Sequence, residues 1–264
     1  MRIVRFQLEG REPARGILDN DDQVLSILGD ICGQWAPSGE RHPLASVRLL
    51  APVQPPNILA IGLNYRGHAH ETGHAIPSAP VLFIKATTAV IGPDQPIVLP
   101  AAAPDEVDYE AELVVVIGKK ARNVSRQDAA SHILGYTCGN DVSARDCQLR
   151  LDSQWARGKS FDTFAPLGPW IETQVERAGS AIRARLNGVT VQESHTSDLI
   201  FDVADLVSYL SHQMTLLPGT VIYTGTPSGV GHAREPNIYL RPGDVVEIEI
   251  EGIGVLRNPV VAES

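Results

Sequence analysis

Short apolar runs separated by polar turns recur along the chain, and this spacing is typical of β-strands. Within the first 50 residues the runs cover residues 3–6, 16–18 and 24–27. A proline-rich segment, 51–56, follows them and cannot continue a helix or a central strand. We therefore expect a small N-terminal β-rich domain over residues 1–54 and a larger domain over residues 55–264.

The larger domain is also predicted to consist mostly of strands. Apolar runs at 58–62 and 81–84 indicate two strands buried in the core. Three later strands are expected at 181–186, 220–224 and 245–250. In the last of these, glutamates alternate with apolar residues, which indicates a strand with one face in water rather than a metal site.

Two segments of the larger domain have helical patterns. Residues 126–134 follow Ser125, whose hydroxyl can serve as the N-cap. Residues 203–212 follow Asp202, a second capping side chain, and place their apolar residues on one helical face. With the strands, these helices predict a mostly β fold with short helices, in the α+β class.

The most strand-like stretch of the chain, residues 107–118, carries two glutamates. Side chains alternate between the faces of a strand, so Glu110 and Glu112 point the same way, about 6–7 Å apart. Two like charges on an apolar strand resist burial, and a divalent cation would remove that cost. The alternative is a solvated strand face, where two alternating glutamates need no cation.

Asp141 can supply a third carboxylate, because it follows an apolar lead-in and begins a turn-rich, charged segment. An all-oxygen set of three carboxylates suits a hard ion, Mg²⁺, Mn²⁺ or Ca²⁺, rather than zinc or copper. Such a set leaves coordination positions for water or substrate, as a Lewis-acid catalyst requires.

Composition and charge exclude several classes of function. The chain has 264 residues, 43% of them hydrophobic and 20% charged, as expected of a soluble globular protein. Its net charge of −9 argues against a nucleic-acid partner. No apolar run approaches the roughly 18 residues of a membrane span, and the start has no signal-peptide core. Three cysteines are too few for a disulfide framework, so a reducing cytoplasm is expected.

Three of the eight histidines lie within the segment 68–74. His70 and His74 fit the H-E-x-x-H pattern of zinc proteases, which needs both imidazoles one turn apart on a long helix. The glycines and proline around them argue against such a helix. Alternatively, His68 and Glu71, spaced i and i+3, form a couple in which the carboxylate orients a general base. An exposed polar loop is the third interpretation.

Two further segments carry candidate chemistry. Lys159 lies between turn residues, where its ammonium could hold an anionic substrate group or face water. The glycine-rich run 224–231 follows a strand without a clear helix behind it, which favours a tight active-site loop over a nucleotide-binding loop.

These blocks together resemble the fumarylacetoacetate hydrolase family in its short bacterial form, which includes acylpyruvases and 2-hydroxyhepta-2,4-diene-1,7-dioate isomerases. The resemblance rests on Gly62-Leu63-Asn64-Tyr65 with His68 and Glu71, DYEAEL at 108–113, NDVSARD at 140–146, RGKSFDTF at 157–164, PLGP at 166–169 and TGTP at 224–227. The blocks occur in family order across the larger domain. The resemblance implies a β-roll of mixed strands behind a small N-terminal domain, and a homodimer.

The resemblance also implies a site. Mg²⁺ or Mn²⁺ would be held by Glu110, Glu112 and Asp141. The implied catalytic residues are His68, Glu71 and Lys159, with the His68–Glu71 dyad activating water. The implied substrate-binding residues are Asn64, Tyr65, Arg145, Gln148 and Thr226. Leu63 departs from relatives with a basic residue at this position, which removes one contact to a substrate carboxylate.

The activity implied by the resemblance is that of a metal-dependent hydrolase of aromatic catabolism. It would cleave a C–C bond in an acylpyruvate or β-diketo acid through a metal-stabilised enolate. The alternative is a decarboxylase or keto–enol isomerase of an unsaturated 2-oxo dicarboxylate, of the oxaloacetate or hydroxymuconate type, at the same site. A protein that binds metal and ligand without turnover is a third possibility. The partner is in each case a small 2-oxo acid.

Overall fold

The computed structural model describes residues 1–174 and 179–263, which fold mainly into strands. The N-terminal strands are β1 (Arg2–Gln7), β2 (Ala14–Leu18), β3 (Gln23–Gly29), β4 (Trp35–Pro43) and β5 (Arg48–Leu50). The predicted β-rich start of the chain is therefore confirmed, although the sequence pattern did not indicate β4 or β5.

Fourteen more strands follow in the described part of the chain. They are β6 (Ile58–Gly62), β7 (Val81–Lys85), β8 (Val90–Ile91), β9 (Ile97–Leu99), β10 (Val107–Asp108), β11 (Ala111–Ile117), β12 (Ile133–Asn140), β13 (Ser143–Ala144), β14 (Ala165–Glu172), β15 (Ala181–Leu186), β16 (Val189–His195), β17 (Val221–Tyr223), β18 (Val245–Ile250) and β19 (Gly254–Ala262). The strands predicted near residues 58, 181, 220 and 245 are confirmed.

Helices are few and short. The α-helices are α1 (Arg66–Glu71), α2 (Ala156–Lys159) and α3 (Val203–Gln213). Single 3₁₀ turns lie at Leu44–Ser46, Thr87–Ala89, Ala129–His132, Thr196–Asp198 and Gly231–Ala233, and a π-helical turn lies at Cys147–Leu151. Within the described residues, no helix has the length and apolar character needed to cross a bilayer.

The strands form a large twelve-stranded sheet, a five-stranded sheet and a two-stranded ribbon. The large sheet runs in the order β4-β3-β2-β1-β14-β12-β11-β17-β6-β7, with β5 paired to β1 and β8 paired to β14. The five-stranded sheet runs in the order β16-β15-β18-β19-β9. Most neighbours are antiparallel, but β6 and β17 are parallel. Side chains of both sheets share one apolar core. The expected mostly β fold of mixed strands is confirmed.

The N-terminal strands continue the large sheet rather than forming a separate one. β1 pairs with β14, with Arg2 opposite Glu172, and Ile3 belongs to the same core as Ile171. The predicted boundary after residue 54 lies in the loop between β5 and β6. The division into domains over residues 1–54 and 55–264 stays a prediction.

The helix predicted over residues 203–212 is confirmed as α3. The side chain of its N-cap, Asp202, accepts a hydrogen bond from the Asp205 backbone N–H at 2.9 Å. The Asp205 carboxylate in turn accepts the Asp202 backbone N–H, which completes a capping box. Its apolar face buries Leu206 and Leu210 against the outer face of the large sheet. Amphipathic spacing and a cap thus agree at this element.

The prediction of a helix over residues 126–134 is wrong. The segment forms only the 3₁₀ turn Ala129–His132, and β12 begins at Ile133. Ser125 makes the local bonds of a capping serine, since its hydroxyl donates to Asp128 Oδ2 at 2.7 Å and accepts the Asp128 N–H at 3.3 Å, but no α-helix follows it. The apolar residues at the end of the predicted helix belong instead to a strand, where β12 pairs with β11.

The prediction that residues 81–84 form a buried strand is half correct. The segment forms β7, which is the last strand of the large sheet. Val81 and Ile84 are 37% and 55% exposed, and among the described strands β7 pairs only with β6. An apolar run by itself does not distinguish a central strand from an edge strand.

Candidate metal centre and active site

The three acidic residues predicted to form a metal site lie together. β10 ends at Asp108 and β11 begins at Ala111, and this break leaves Glu110 facing the same side as Glu112. β12 pairs with β11 up to Asn140, so the next residue, Asp141, lies beside Glu110 and donates its backbone N–H to the Glu110 carbonyl at 2.9 Å. One carboxylate oxygen from each of the three lies within 4.8 Å of the others, and all three residues are buried.

Two buried lysines contact this acidic cluster. The Lys159 ammonium donates to Glu110 Oε2 at 2.9 Å and to Asp141 Oδ2 at 2.7 Å, so it does not face water. The Lys85 ammonium contacts the other oxygen of Asp141 and donates to the Val142 carbonyl at 3.2 Å. Burial lowers the pKa of Lys85, whereas two carboxylates outweigh burial and raise the pKa of Lys159.

Arg145 connects the acidic cluster to a fourth acidic residue, Asp108. Its Nη1 lies 2.8 Å from Glu110 Oε1 and donates to Gln148 Oε1 at 2.8 Å. Its Nε and Nη2 donate to Asp108 Oδ2 at 2.9 and 2.7 Å. Asp108 also accepts the backbone N–H groups of Gly231 and His232, at 2.8 and 3.0 Å. The glycine-rich segment is thereby joined to the acidic cluster.

The protein's own cations neutralise the three carboxylates unequally. Burial raises the pKa of Glu110, but Lys159 and Arg145 outweigh this and hold it at about 2. Burial, and then the charges of Asp141 and Glu110, raise the pKa of Glu112 well above its usual range. In the described part of the chain Glu112 has no ion pair within 4 Å, and it accepts the Gly225 N–H at 2.7 Å. A buried carboxylate without its own cation fits a site for a hard divalent ion.

The predicted His68–Glu71 couple forms on α1. His68 Nδ1 lies 3.2 Å from Glu71 Oε2, and Glu71 also accepts the Gly229 backbone N–H at 2.9 Å. α1 ends at Glu71, so His70 and His74 do not share a helix as a zinc-protease pair would. The geometry therefore supports the oriented-base interpretation of this segment and not the zinc-protease one.

The residues predicted to bind substrate fall into two groups. Arg145, Gln148 and Thr226 line a cavity of about 590 Å³ beside the acidic cluster. Asn64 and Tyr65 do not line it and are fully buried. The Asn64 amide instead donates to the Thr224 carbonyl at 2.7 Å and to the Phe201 carbonyl at 3.0 Å. In this structure Asn64 holds loops together behind the cavity wall.

Another part of the cavity lining is apolar. It includes Leu63, Phe83 and Trp155, together with Val81 and Leu149. The rings of Phe83 and Trp155 meet edge to face, with centroids 5.6 Å apart. His68, Glu71, Glu110, Asp141 and Lys159 line the same cavity. One space therefore joins an acidic end, an oriented imidazole and an apolar wall.

Comparison with known proteins identifies the chain. Residues 57–261 match the family model described as fumarylacetoacetate (FAA) hydrolase, C-terminal, and residues 1–52 match a model described as Rv2993c-like, N-terminal. The chain belongs to the fumarylacetoacetate hydrolase family. The resemblance noted in the sequence is confirmed.

Relatives in the fumarylacetoacetate hydrolase family have several names. The chain is 44% identical over 255 residues to a mitochondrial oxaloacetate tautomerase of Xenopus laevis, covering 95% of this chain and 74% of the relative. A solved 5-carboxymethyl-2-hydroxymuconate delta-isomerase from Mycobacterium smegmatis is 45% identical, with a TM-score of 0.90 and full coverage of both chains. A 2-hydroxyhepta-2,4-diene-1,7-dioate isomerase from Mycobacterium marinum is 43% identical, with a TM-score of 0.88 and coverage of 100% and 99%.

Sequence reasoning missed four residues around the site of this family member: Lys85, Asp108, Phe83 and Trp155. Lys85 left a signal, because a lysine that ends an apolar strand points to a buried charge partner. Asp108 left a weaker one, directly before the acidic strand. Phe83 and Trp155 left none, because aromatic residues in strands and turns belong more often to a core.

Proposed function

We propose that this protein is a divalent-metal-dependent enzyme that interconverts the keto and enol forms of a small 2-oxo acid. The observation that carries the proposal is the convergence of Glu110, Glu112 and Asp141 at the end of a cavity that also holds His68. The names of the relatives, an oxaloacetate tautomerase and two isomerases of unsaturated dicarboxylates, support this reaction over hydrolysis.

In this proposal Mg²⁺ or Mn²⁺ is held by Glu110, Glu112 and Asp141. When bound, such an ion polarises the 2-oxo group and stabilises the negative charge of the enolate. Lys159 and Arg145 keep Glu110 ionised, because they hold its pKa at about 2. The carboxylate is therefore ionised and available as a ligand at neutral pH.

His68 is the proposed base. With Nδ1 bonded to Glu71, its other nitrogen, Nε2, is free to accept a proton from the carbon next to the 2-oxo group. Glu71 stabilises the imidazolium that results, and the Gly229 N–H holds Glu71 in position. Transfer of the proton from Nε2 to the enolate oxygen gives the enol form, and the same steps in reverse give the keto form.

A second candidate is hydrolysis of the C–C bond of an acylpyruvate. The same His68–Glu71 couple, at 3.2 Å, can deprotonate a water that attacks the distal carbonyl. Lys159 would then help to hold the leaving enolate. Decarboxylation of oxaloacetate would need the same enolate but no attacking water, so the products distinguish the three reactions.

The decisive experiment incubates the protein with oxaloacetate, an acylpyruvate and a hydroxymuconate-type dicarboxylate in D₂O. We expect deuterium exchange at the enolisable carbon with Mg²⁺ or Mn²⁺, no C–C cleavage, and no exchange above background in EDTA. Release of pyruvate from the acylpyruvate would establish hydrolysis instead. Full activity in EDTA would overturn the metal-dependent mechanism.

A matched pair of histidine variants tests the base. His68→Ala should lower turnover by about 10²-fold or more, as expected for loss of a general base. His70→Ala is the control, because His70 is exposed on the same helix and its side chain makes no hydrogen bond to the described residues.

We also propose that the enzyme is a homodimer in the cytoplasm, which light scattering and cell fractionation would test.

A further inference from the structure

We propose that Leu63, Phe83 and Trp155, here called the apolar wall, select a 2-oxo acid whose remote end is uncharged and apolar. A substrate with a second carboxylate would be disfavoured. This inference rests on the proposed function, because it concerns the substrate of the same cavity. It differs from what the relatives' names suggest, since oxaloacetate and the named dioate both carry a second carboxylate.

The apolar wall is built by close packing. Trp155 lies across the end of β6, where a Cβ placed on Gly62 would come within 2.4 Å of its ring. The next residue, Leu63, has a φ of 52°, a backbone conformation that is rare for leucine and frequent at functional sites. Phe83 on β7 completes the surface through its edge-to-face contact with Trp155.

The apolar wall begins directly beside the candidate metal ligands. The Lys159 ammonium lies 5.1 Å from the centroid of the Phe83 ring, and the same ammonium contacts Glu110 and Asp141. Within a cavity of about 590 Å³, an acid bound by its oxo-carboxylate end at the acidic cluster therefore has its remote end within reach of the wall. An aromatic or alkyl group would be buried there with favourable contacts.

No cation of this cavity is left for a second carboxylate. The ammonium and guanidinium groups around it are already paired with acidic side chains, as Lys85 with Asp141, Lys159 with Glu110 and Asp141, and Arg145 with Asp108 and Glu110. Lys159 and Arg145 are the only lysine and arginine among the described residues that line the cavity. Lys159 approaches the apolar wall, with its ammonium 5.1 Å from the Phe83 ring, but Glu110 and Asp141 already pair it.

The histidines of the lining do not change this balance. His232 bonds the Tyr239 hydroxyl through Nδ1 at 2.8 Å, and burial lowers its pKa, so it is neutral at neutral pH. His68 is paired with Glu71. His74 is exposed at the mouth. A carboxylate against the apolar wall would lose water without gaining a charged partner.

Binding of two small acids that cannot enolise tests the inference without turnover. Benzoylformate and 4-carboxybenzoylformate share a 2-oxo acid on a phenyl ring and differ only in a carboxylate at the remote end of the ring. With Mn²⁺ present, calorimetry should show benzoylformate binding at least about tenfold more tightly than 4-carboxybenzoylformate. Equal or tighter binding of 4-carboxybenzoylformate would overturn the inference.

Variants of Trp155 and Leu63 test whether the apolar wall causes the preference for an uncharged remote end. Trp155→Ala should reduce the ratio of the two affinities by about tenfold or more, and Trp155→Phe should keep most of it. Leu63→Arg should reverse the ratio, because it adds a cation to the wall. Trp35→Ala is the matched control, since Trp35 lies on β4 in the N-terminal strands and should leave the ratio unchanged. An unchanged ratio in both Trp155→Ala and Leu63→Arg would overturn the assignment.

Kinetics separates failure of this inference from failure of the proposed function. With benzoylpyruvate and oxaloacetate as substrates, we expect a higher kcat/KM for benzoylpyruvate, and Trp155→Phe should alter KM more than kcat. If neither acid is converted, the proposed function fails, while the binding ratio still decides the inference. If oxaloacetate is converted with the higher kcat/KM and 4-carboxybenzoylformate binds at least as tightly as benzoylformate, the function stands and the inference fails.

Discussion

Glu112 is the candidate metal ligand whose charge the protein itself compensates least. Burial and the charges of Asp141 and Glu110 raise its pKa above the ordinary value of 4.5. The folded protein therefore favours protonated Glu112 more than the unfolded chain does. This contribution to stability is fully present below the ordinary pKa and is lost as the pH rises through the raised pKa.

The resulting prediction concerns the metal-free protein. In EDTA, the free energy of unfolding should fall as the pH rises above about 4.5, and Glu112→Gln should remove this part of the fall. Urea denaturation at a series of pH values measures it. Glu9→Gln, a change at an exposed glutamate, should follow the unmodified protein. Parallel curves for Glu112→Gln and the unmodified protein would contradict the prediction.

Asp108 acts on the metal centre through Arg145 and not by direct contact. Replacing it with Asn keeps the shape but removes the charge that holds Arg145 against Glu110. We expect Asp108→Asn to weaken Mn²⁺ binding by about 10–100-fold, as for other residues that orient metal ligands. Calorimetric titration with Mn²⁺ measures this. Asp105→Asn, at an exposed aspartate nearby, should bind Mn²⁺ normally.

At the scale of helices and strands, the sequence predicted correctly those elements in which the spacing of apolar residues and the capping residues indicate the same structure. α3 has an apolar face and a capping aspartate, so its bounds were nearly correct. Residues 126–134 also have a helical pattern of apolar residues behind a possible capping serine, but the last two of them belong to β12. Their structure is decided by the pairing of β12 with β11, which the local sequence does not show. The pairing of Glu110 and Glu112 was predictable because they alternate along one strand-like stretch of sequence, although Glu110 lies just before β11. Lys85 and Trp155 were not, because strand pairing and loop packing bring them to the site from distant parts of the chain.

The end of β6 and the start of α2 are coupled through Gly62. A methyl group at this position would overlap the Trp155 ring, so Gly62→Ala should displace α2, which carries Lys159. We expect a loss of about 1–3 kcal/mol in the free energy of unfolding and lower turnover. Thermal unfolding and kinetics measure both effects. Gly33→Ala is the control, since the nearest atom to its Cβ would be 3.6 Å away; equal effects of the two changes would refute the coupling.

At the scale of the whole molecule, the two regions matched by separate family models share one sheet and one core. Ile3, Ile27 and Ile31 pack in the same apolar cluster as residues of the larger region. We therefore expect a single unfolding transition, with equal calorimetric and van't Hoff enthalpies. Removing residues 1–54 should expose β14 and the core, and so cause aggregation. Two separate transitions, or a soluble and active fragment from residue 55, would favour independent domains.

The hydrogen bond between the Gly229 N–H and Glu71 ties α1 to the glycine-rich segment. A movement that separated the two would also release the carboxylate that aligns the proposed base, His68. Gly229 has a φ of 99°, and a Cβ there would meet the Val191 carbonyl at 2.3 Å. Gly229→Ala should therefore slow proton transfer by about 10²-fold while Mn²⁺ still binds, because a single methyl group holds the segment away. Measurement of deuterium exchange and of Mn²⁺ affinity on the same variant tests this prediction, since only the exchange rate should fall.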